Sequence, residues 1–213
     1  MSTYIIGVAG ASGAPYTRRV LEGLLASGHD VKAVITEAGR RVFEVEMGLH
    51  LPGEANADRI VLSEWLRADT LPGSLEVFDN RDVAATIASG SYPTGGMAIV
   101  PCSTGTLGRI ANGVSSGLLE RAADVCLKER RTLIVVPRET PLSLVHLRNM
   151  TAITEAGAIV MPAMPGFYHR PRSVQDLVDM VAGRVLAHLG VESSILKRWQ
   201  GAEPLEYAAL EQD

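Results

Sequence analysis

The chain has 213 residues, of which 46% are hydrophobic, so it is long enough to bury one sizeable core and short for two ordinary domains. Its formal net charge is -4, and both signs are scattered along the chain without a basic run. This distribution excludes the electrostatic footprint of a protein that binds nucleic acid or an anionic membrane, so small molecules are the expected partners.

The N-terminal stretch MSTYIIGVAG has no basic segment, and its apolar run is too short for a signal peptide or a membrane-spanning helix. We therefore expect a cytoplasmic protein. The two cysteines, Cys102 and Cys126, do not form a CxxC pair, and a reducing compartment keeps both as thiols. None of the five histidines has a metal-ligand spacing, so we expect chemistry without a metal.

The first half of the chain alternates short apolar runs with helical patterns. In chain order it predicts a strand at 4–9, a helix at 15–27, a strand at 31–35, a helix at 37–46, a helix around 60–66 and a strand at 75–78. A stretch rich in Gly, Ser, Pro and Thr follows, and it predicts an exposed, mobile loop at 88–96.

The second half continues the alternation, with a strand at 97–100, a helix from about 107, a helix at 118–129, a strand at 132–136, a helix at 143–155, a strand at 158–161 and a helix at 173–189. Strands that alternate with helices predict an α/β fold: a three-layer, Rossmann-like (flavodoxin-like) parallel sheet with helices on both faces. Residues 1–189 are expected to form this single domain, and residues 190–213 form a polar tail.

The first strand runs into the turn Gly10-Ala11-Ser12-Gly13, directly before a helix. Such a turn offers backbone N–H groups, a hydroxyl and the positive end of a helix dipole to a phosphate. The turn is neither GxGxxG nor GxxxxGKS/T, so a mononucleotide such as FMN fits it better than a dinucleotide or a nucleoside triphosphate. An ordinary tight strand-to-helix turn is the alternative explanation.

A second turn of small residues, Pro101-Cys102-Ser103-Thr104-Gly105, follows the strand at 97–100. Taken alone it is an ordinary helix N-cap beside a buried cysteine, and no histidine is placed by the sequence to activate Cys102 as a nucleophile. Because the carboxyl ends of parallel strands meet at one edge of the sheet, the two turns are expected to hold a phosphate and a planar ring together. Thr36 ends the second strand and belongs to the same edge.

The positions of several charged residues indicate the same edge of the sheet as the ligand site. Arg138 and Glu139 directly follow a buried strand, where charged side chains face the ligand crevice in such folds, so we expect Glu139 in the site. Arg121 and Lys128 are spaced to lie on one helical stripe, which suits an anionic leaving group. A solvated helix face with ion pairs is the alternative for this stripe.

Aromatic side chains are scarce, at 5% of the chain, and several lie in one loop. The loop at 162–171 carries Phe167, Tyr168 and His169, and the tail carries Trp199. These residues are either walls for a ring or an isoprenoid chain, or packing anchors at the edge of the core.

Seven blocks of the sequence together resemble the UbiX-like flavin prenyltransferases, a family formerly described as aromatic-acid decarboxylases. They are GASGAPY at 10–16, TEAG at 36–39, PCSTGTL at 101–107, LLERAADVCLKERR at 118–131, LIVVPRETP at 133–141, HLRNM at 146–150 and MPAMPGFYHRP at 161–171. The resemblance implies a dodecamer with FMN at subunit contacts. It also implies transfer of a dimethylallyl group from dimethylallyl phosphate to N5 and C6 of reduced FMN, which gives the prenylated flavin used by a UbiD-like decarboxylase.

The resemblance also implies a role for individual residues. Those implied to hold FMN are Gly10, Ala11, Ser12, Thr36, Ser103, Thr104, Gly105 and Arg138. Those implied to hold the allylic phosphate are Tyr168 and Arg184, with Arg121 and Lys128 contributed across a subunit boundary. Glu139 is implied to be the acid/base group, with Ser12 as an accessory near N5. The tail resembles the family's C-terminal closing segment at 197–199, which includes Trp199.

One position departs from the family pattern. Members carry a tryptophan after the aspartate that precedes the flexible loop, whereas this chain has Val83 after Asp82. The change implies weaker stabilisation of an allylic cation or a different prenyl donor, and Trp199 is placed to compensate.

Two other functions stay open from the sequence. A related FMN-dependent decarboxylase of thiol-bearing, cysteinyl-type carboxylates shares the fold. Such an enzyme calls for a histidine early in the chain and a PxMN segment, whereas this chain has Met161-Pro162-Ala163-Met164-Pro165. The other alternative is a flavin carrier without catalytic activity.

Overall fold

In a computed structural model, which describes residues 1–196, the chain folds around a six-stranded parallel sheet. The strands are β1 (Thr3–Val8), β2 (Asp30–Ile35), β3 (Ser74–Asp79), β4 (Gly96–Cys102), β5 (Leu133–Pro137) and β6 (Ile159–Val160). Their order is β3-β2-β1-β4-β5-β6, so the winding direction reverses between β1 and β4. All strand pairings are parallel, as the sequence predicts.

Helices cover both faces of the sheet. They are α1 (Ala14–Ala26), α2 (Glu37–Met47), α3 (Ala55–Leu66), α4 (Thr104–Ala111), α5 (Leu118–Lys128), α6 (Leu144–Glu155) and α7 (Val174–His188). One buried cluster contains side chains of α1, α2, α3 and α7, and the other contains side chains of α4, α5 and α6. The two clusters lie on opposite faces of the sheet, which confirms the predicted three-layer architecture.

β1 shows why the strands have nearly continuous apolar sequences. Ile6 and Val8 belong to one cluster and Ile5 belongs to the other, so both faces of the strand are covered. All seven residues of β4 are buried, whereas the edge strand β6 is only half-buried. The carboxyl ends of the central strands are therefore fixed by close packing on both faces of the sheet.

Two helices begin earlier than their apolar patterns predict. α3 starts at Ala55 rather than near 60, and its first turns are held by the buried carboxylate of Asp58. Asp58 accepts hydrogen bonds from Gly53 N at 2.8 Å and from Arg40 Nε at 2.7 Å. α4 starts at Thr104 rather than near 107 because Ser103 caps it. Polar caps extend both helices beyond their apolar patterns.

The prediction of an exposed, mobile loop at 88–96 is wrong in part. Ala88 is buried, and the carbonyl oxygens of Gly90 and Tyr92 accept hydrogen bonds from the Arg131 guanidinium at 2.6 and 2.7 Å. Arg131 follows α5 in the chain, so this loop is fastened to the end of that helix.

The start of the polar tail packs against the domain. Val191 is buried, and Ile195 packs on the cluster that contains α7 side chains. The predicted site residue Trp199 lies outside the described residues. Within residues 1–196, no helix is long and apolar enough to cross a membrane, and no group of three potential ligand side chains is arranged for a metal.

Candidate functional site

The carboxyl ends of β1, β2, β4 and β5 are joined by backbone hydrogen bonds just beyond the strands. Ala9 N donates to the Pro101 carbonyl oxygen at 3.1 Å, and Thr36 N donates to that of Val8 at 3.0 Å. Arg138 N donates to the Cys102 carbonyl oxygen at 3.4 Å. The edge therefore brings the predicted segments at 10–13, 36, 103–105 and 138–139 into one region, at the point where the winding reverses.

The first turn needs glycine because of close packing. A Cβ at Gly10 would lie 2.4 Å from Ala38 Cβ, and Gly13 has a φ of 137°, which disfavours other residues. Ser12 is exposed between them. A cavity of about 300 Å³ lies against this turn, and its lining includes Gly10, Ser12 and Ala38.

The expectation that this turn offers free N–H groups to a phosphate is wrong at its helical end. Glu46 reaches from α2 to the N-terminus of α1, where its Oε2 accepts hydrogen bonds from Gly13 N at 2.9 Å and Ala14 N at 2.8 Å. Burial and the Glu46 charge together raise the pKa of Tyr16. The protein's own carboxylate thus takes the place that the sequence had suggested for a ligand anion.

Glu46 was not predicted from the sequence to lie at this edge. Its only signal in the sequence is an acidic residue in the last turn of a helix, and such residues are common on solvated helix faces. Its partner N–H groups lie more than thirty residues earlier in the chain, so only the folded arrangement reveals the contact.

Thr36 caps α2 and ties it to β1. Its Oγ1 accepts from Gly39 N at 3.0 Å and donates to the Val8 carbonyl oxygen at 3.1 Å. Gly39 is obligatory here because a Cβ would lie 2.6 Å from the same carbonyl oxygen. The first turn of α2 is therefore held firmly at this edge of the sheet. The N–H groups of Glu37 and Ala38 belong to this turn and precede its first intrahelical hydrogen bond.

An open cleft of about 920 Å³ lies beside Thr36, between α2 and the start of α5. The walls of this cleft are supported by two ion pairs, neither of which was predicted from the sequence. Arg40 pairs with Asp58 at 2.7 Å, and Arg109 pairs with Glu120 at 2.8 Å. Both carboxylates are buried, so each pair holds a charged group in place at the cleft.

The second turn is a capped helix start. Ser103 Oγ accepts from Thr106 N at 3.3 Å and donates to Thr106 Oγ1 at 3.0 Å, and Thr104 and Gly105 form the first turn of α4. Cys102 is fully buried, and this burial raises the pKa of its thiol far above the usual range. The hypothesis of a nucleophilic Cys102 is therefore not supported.

Arg138 and Glu139 follow β5 at the same edge, and both are half-buried. Glu139 Oε1 accepts a hydrogen bond from Thr140 N at 3.0 Å. Arg138 Nε is buried and has no hydrogen-bond partner among the described residues. A buried donor without an acceptor is costly, so this edge suits a ligand rich in acceptor atoms, as a flavin mononucleotide is.

Arg121 and Lys128 meet the loop that follows β3. Arg121 Nε donates to the Ala88 carbonyl oxygen at 3.2 Å. Lys128 pairs with Glu129, and the ends of both side chains lie close to Gly90. The two cations share one stripe of α5, as the sequence predicts. Val83 lies in the loop that follows β3, with 59% of its surface exposed.

Arg184 lies in α7, and Tyr168 lies in the loop that precedes this helix. Gly166 N donates to Met180 Sδ at 2.8 Å, and a Cβ at Gly166 would lie 3.0 Å from the Tyr168 ring. Arg184 follows Met180 by one helical turn and lies 3.3 Å from His188 Nε2 through its Nη2. The aromatic loop is thus placed on the helix that carries Arg184.

Two of the helices that carry predicted phosphate-binding cations cover different faces of the sheet. α5, with Arg121 and Lys128, and α7, with Arg184, pack on opposite faces. The layer of strands therefore lies between these two helices.

Comparisons with known proteins place the chain in a family. The family model described as Flavoprotein matches residues 2–186. The flavin prenyltransferase UbiX of Synechocystis sp. is 47% identical over 200 residues, which cover 92% of this chain and 95% of the relative.

Two solved structures share the fold at similar coverage. AnUbiX (PadA1), in complex with FMN and dimethylallyl pyrophosphate, has a TM-score of 0.84 and is 35% identical, and the match covers 95% of this chain and 99% of the other. A dodecameric FMN-dependent UbiX-like decarboxylase from Escherichia coli O157:H7 has a TM-score of 0.80 and is 38% identical, with 93% and 100% covered. The chain therefore belongs to the Flavoprotein family and, within it, to the UbiX flavin prenyltransferases.

Proposed function

We propose that the protein transfers the dimethylallyl group of dimethylallyl phosphate to reduced FMN and releases inorganic phosphate. The observation that carries this proposal is the meeting of the two small-residue turns with Arg138 and Glu139 at one sheet edge, in a chain that belongs to the UbiX family. The C–O bond of the ester and the C=C double bond of the prenyl group are replaced by bonds to flavin N5 and C6. N5 and C6 each lose a proton, the remaining carbon of the former double bond takes up one, and the net proton leaves with the inorganic phosphate.

The residues proposed to hold FMN are Gly10, Ala11, Ser12, Thr36, Ser103, Thr104, Gly105 and Arg138. When bound, reduced FMN supplies the nucleophilic positions that accept the prenyl group. Because Glu46 already occupies the N-terminus of α1, the phosphate of FMN is better served by the first turns of α2 and α4, next to Thr36 and Ser103. The buried Arg138 Nε provides a further donor.

Glu139 is proposed to be the acid/base group. It is half-buried at the end of β5, close to the second turn, so its carboxylate can accept a proton that leaves the flavin while new bonds form. Ser12 is exposed on the first turn and serves as an accessory near N5. Neither residue needs a metal for this role.

The allylic phosphate is proposed to bind between copies. Tyr168 and Arg184 are proposed to come from one copy and Arg121 and Lys128 from another, because α7 and α5, which carry the cations, cover opposite faces of the sheet. Cations placed around the departing phosphate stabilise the charge that develops as the ester ionises. Trp199 and the tail at 190–213 are proposed to close over this pocket.

A dodecamer is the proposed assembly, by analogy with the E. coli relative, and a UbiD-like decarboxylase is the proposed user of the product. The two buried, unpaired cysteines fit the reducing cytoplasm as the proposed location.

The test is to incubate the purified protein with reduced FMN and dimethylallyl phosphate and to analyse the flavin by mass spectrometry. The expected product is a flavin heavier by one dimethylallyl unit, together with an equal amount of phosphate. Recovery of unmodified FMN from folded, flavin-loaded protein would refute the proposal. Release of CO₂ from a thiol-bearing carboxylate would instead favour the cysteinyl-type decarboxylase.

A further inference from the structure

α5 begins at a residue that has no side chain to cap it. Gly117 is the N-cap, in an extended conformation, and makes no side-chain hydrogen bond. Asn80, at the end of β3, satisfies the first two N–H groups instead. Its carbonyl oxygen accepts from Leu118 N at 2.7 Å, and its Oδ1 accepts from Leu119 N at 2.9 Å. A distant residue therefore takes the place of the usual cap.

The contact between Asn80 and Gly117 is tight. A Cβ at Gly117 would lie 2.5 Å from Asn80 Nδ2 and 2.9 Å from the Asn80 carbonyl oxygen. The glycine is thus required for the Asn80 side chain to reach the helix, so the two residues form one unit that fixes the start of α5 against β3.

This unit stands next to the residues proposed to receive the prenyl donor. Arg121 N donates to the Gly117 carbonyl oxygen at 3.0 Å, which closes the first turn of α5. The Arg121 guanidinium then reaches the Ala88 carbonyl oxygen. Val83 follows Asn80 by three residues on the connecting segment. Asn80 is thus the point at which this segment is joined to the helix that carries Arg121.

We propose that Asn80 is a positioning residue for the prenyl-phosphate part of the site, because it caps α5 and thereby fixes Arg121 relative to the segment that carries Val83. The inference rests on the proposed function, in which Arg121 meets the phosphate. Without the cap, the first turn of α5 frays and the Arg121 guanidinium loses its fixed relation to Ala88. The turns proposed to hold FMN lie on other elements and keep their contacts.

The experiment compares Asn80→Ala, Asn80→Asp and a control, Ser143→Ala. Ser143 caps α6, a helix without proposed site residues, by accepting from His146 N at 3.3 Å. Each FMN-loaded variant is assayed for the KM of dimethylallyl phosphate, for kcat and for the affinity of the apoprotein for FMN. Hydrogen exchange at the Leu118 and Leu119 amides reports on the cap itself. Asn80→Ser replaces Asn80→Ala if the latter does not fold.

For Asn80→Ala we expect faster exchange at both amides and a KM raised roughly fivefold, the equivalent of a typical cap of about 1 kcal/mol. The FMN affinity stays unchanged. Asn80→Asp restores the KM because its carboxylate keeps the acceptor, and Ser143→Ala leaves the KM as in the wild type. An unchanged KM despite faster exchange overturns the proposal, as does an equal rise in Ser143→Ala.

Calorimetry with dimethylallyl phosphate separates this inference from the proposed function. If the wild type binds the ester but transfers no prenyl group, the proposed function fails, and the ratio of dissociation constants between Asn80→Ala and wild type still decides the role of Asn80. If the FMN-loaded wild type does not bind the ester, both are overturned.

Discussion

Glu46 Oε2 lies 2.9 Å from Gly13 N, so a carboxylate from α2 sits on the N-terminus of α1. The contact joins the first turn to the helix that follows Thr36, and it fills the positive end of α1 with a charge that belongs to the protein. It therefore fixes the turn that carries Ser12, and it is the reason why we propose the N-terminal turns of α2 and α4 as the places for a ligand phosphate.

Replacement of Glu46 should cost stability. We expect Glu46→Ala to lower the free energy of unfolding by about 1–3 kcal/mol, because two backbone donors lose a charged acceptor. The pKa of Tyr16 should fall, since the Glu46 charge helps to raise it. Urea unfolding and ultraviolet titration measure the two effects.

Glu44→Ala is the matched control on the same helix. Glu44 makes an exposed ion pair with Arg41, so its loss should change stability by less than about 1 kcal/mol. An equal loss in both variants would show that Glu46 is no more than another surface carboxylate.

Substitution of Glu139 should affect chemistry rather than binding. Glu139→Gln keeps the shape of the side chain but cannot take up a proton, so prenyl transfer should slow by roughly 10²–10⁴-fold. FMN affinity should change little. Stopped-flow absorbance with reduced FMN measures the rate, and flavin fluorescence measures the affinity.

The exposed Glu155 provides the control for this experiment. Glu155→Gln should transfer the prenyl group at the wild-type rate. A Glu139→Gln variant that is equally fast would mean that the proton goes to another group, or that the protein only carries flavin.

The two cysteines should resist alkylation in the folded protein. Burial raises the pKa of the Cys126 thiol to about 11 and that of Cys102 further still, so very little thiolate exists at pH 8. Iodoacetamide should label neither residue until the chain is unfolded, as mass spectrometry can determine. Rapid labelling of Cys102 at pH 8 would revive its role as a nucleophile.

The same thiols make stability depend on pH. Both pKa values are higher in the folded than in the unfolded state, so the folded form holds protons that the unfolded form releases above pH of about 8.5. The contribution of the protonated thiols to the free energy of unfolding is therefore complete below pH of about 8.5 and is lost as the pH rises toward 11. The midpoint of urea unfolding should therefore fall across this range, and less so in a Cys126→Ala variant.

The sequence predicted those parts of the fold that depend on local pattern. β1 and α1 have strong apolar periodicity around two glycines, and the parallel sheet follows from their alternation with later elements. The sequence predicted a start of α3 near residue 60, which is too late. The first turns of α3 are held by hydrogen bonds of Asp58 to Gly53 and Arg40, and such polar contacts leave no apolar pattern in the sequence.

The site was predictable in its strand-end turns but not in its long-range contacts. Thr36 and Ser103 were predicted at this edge because both directly follow a strand, and the structure shows that each also caps the next helix. The capping of α1 by Glu46 and of α5 by Asn80 joins residues more than thirty positions apart, and no local pattern encodes such contacts. The separation of Arg121 from Arg184 likewise depends on which face of the sheet each helix covers.

The most direct test of a site shared between copies is to mix two inactive variants. Arg121→Ala damages the α5 half of the proposed pocket, and Arg184→Ala damages the α7 half. When the two are co-assembled in equal amounts, chance pairing leaves about one pocket in four with both arginines, so about a quarter of the wild-type rate of flavin prenylation should return. A mixture no more active than the separate variants would contradict the account.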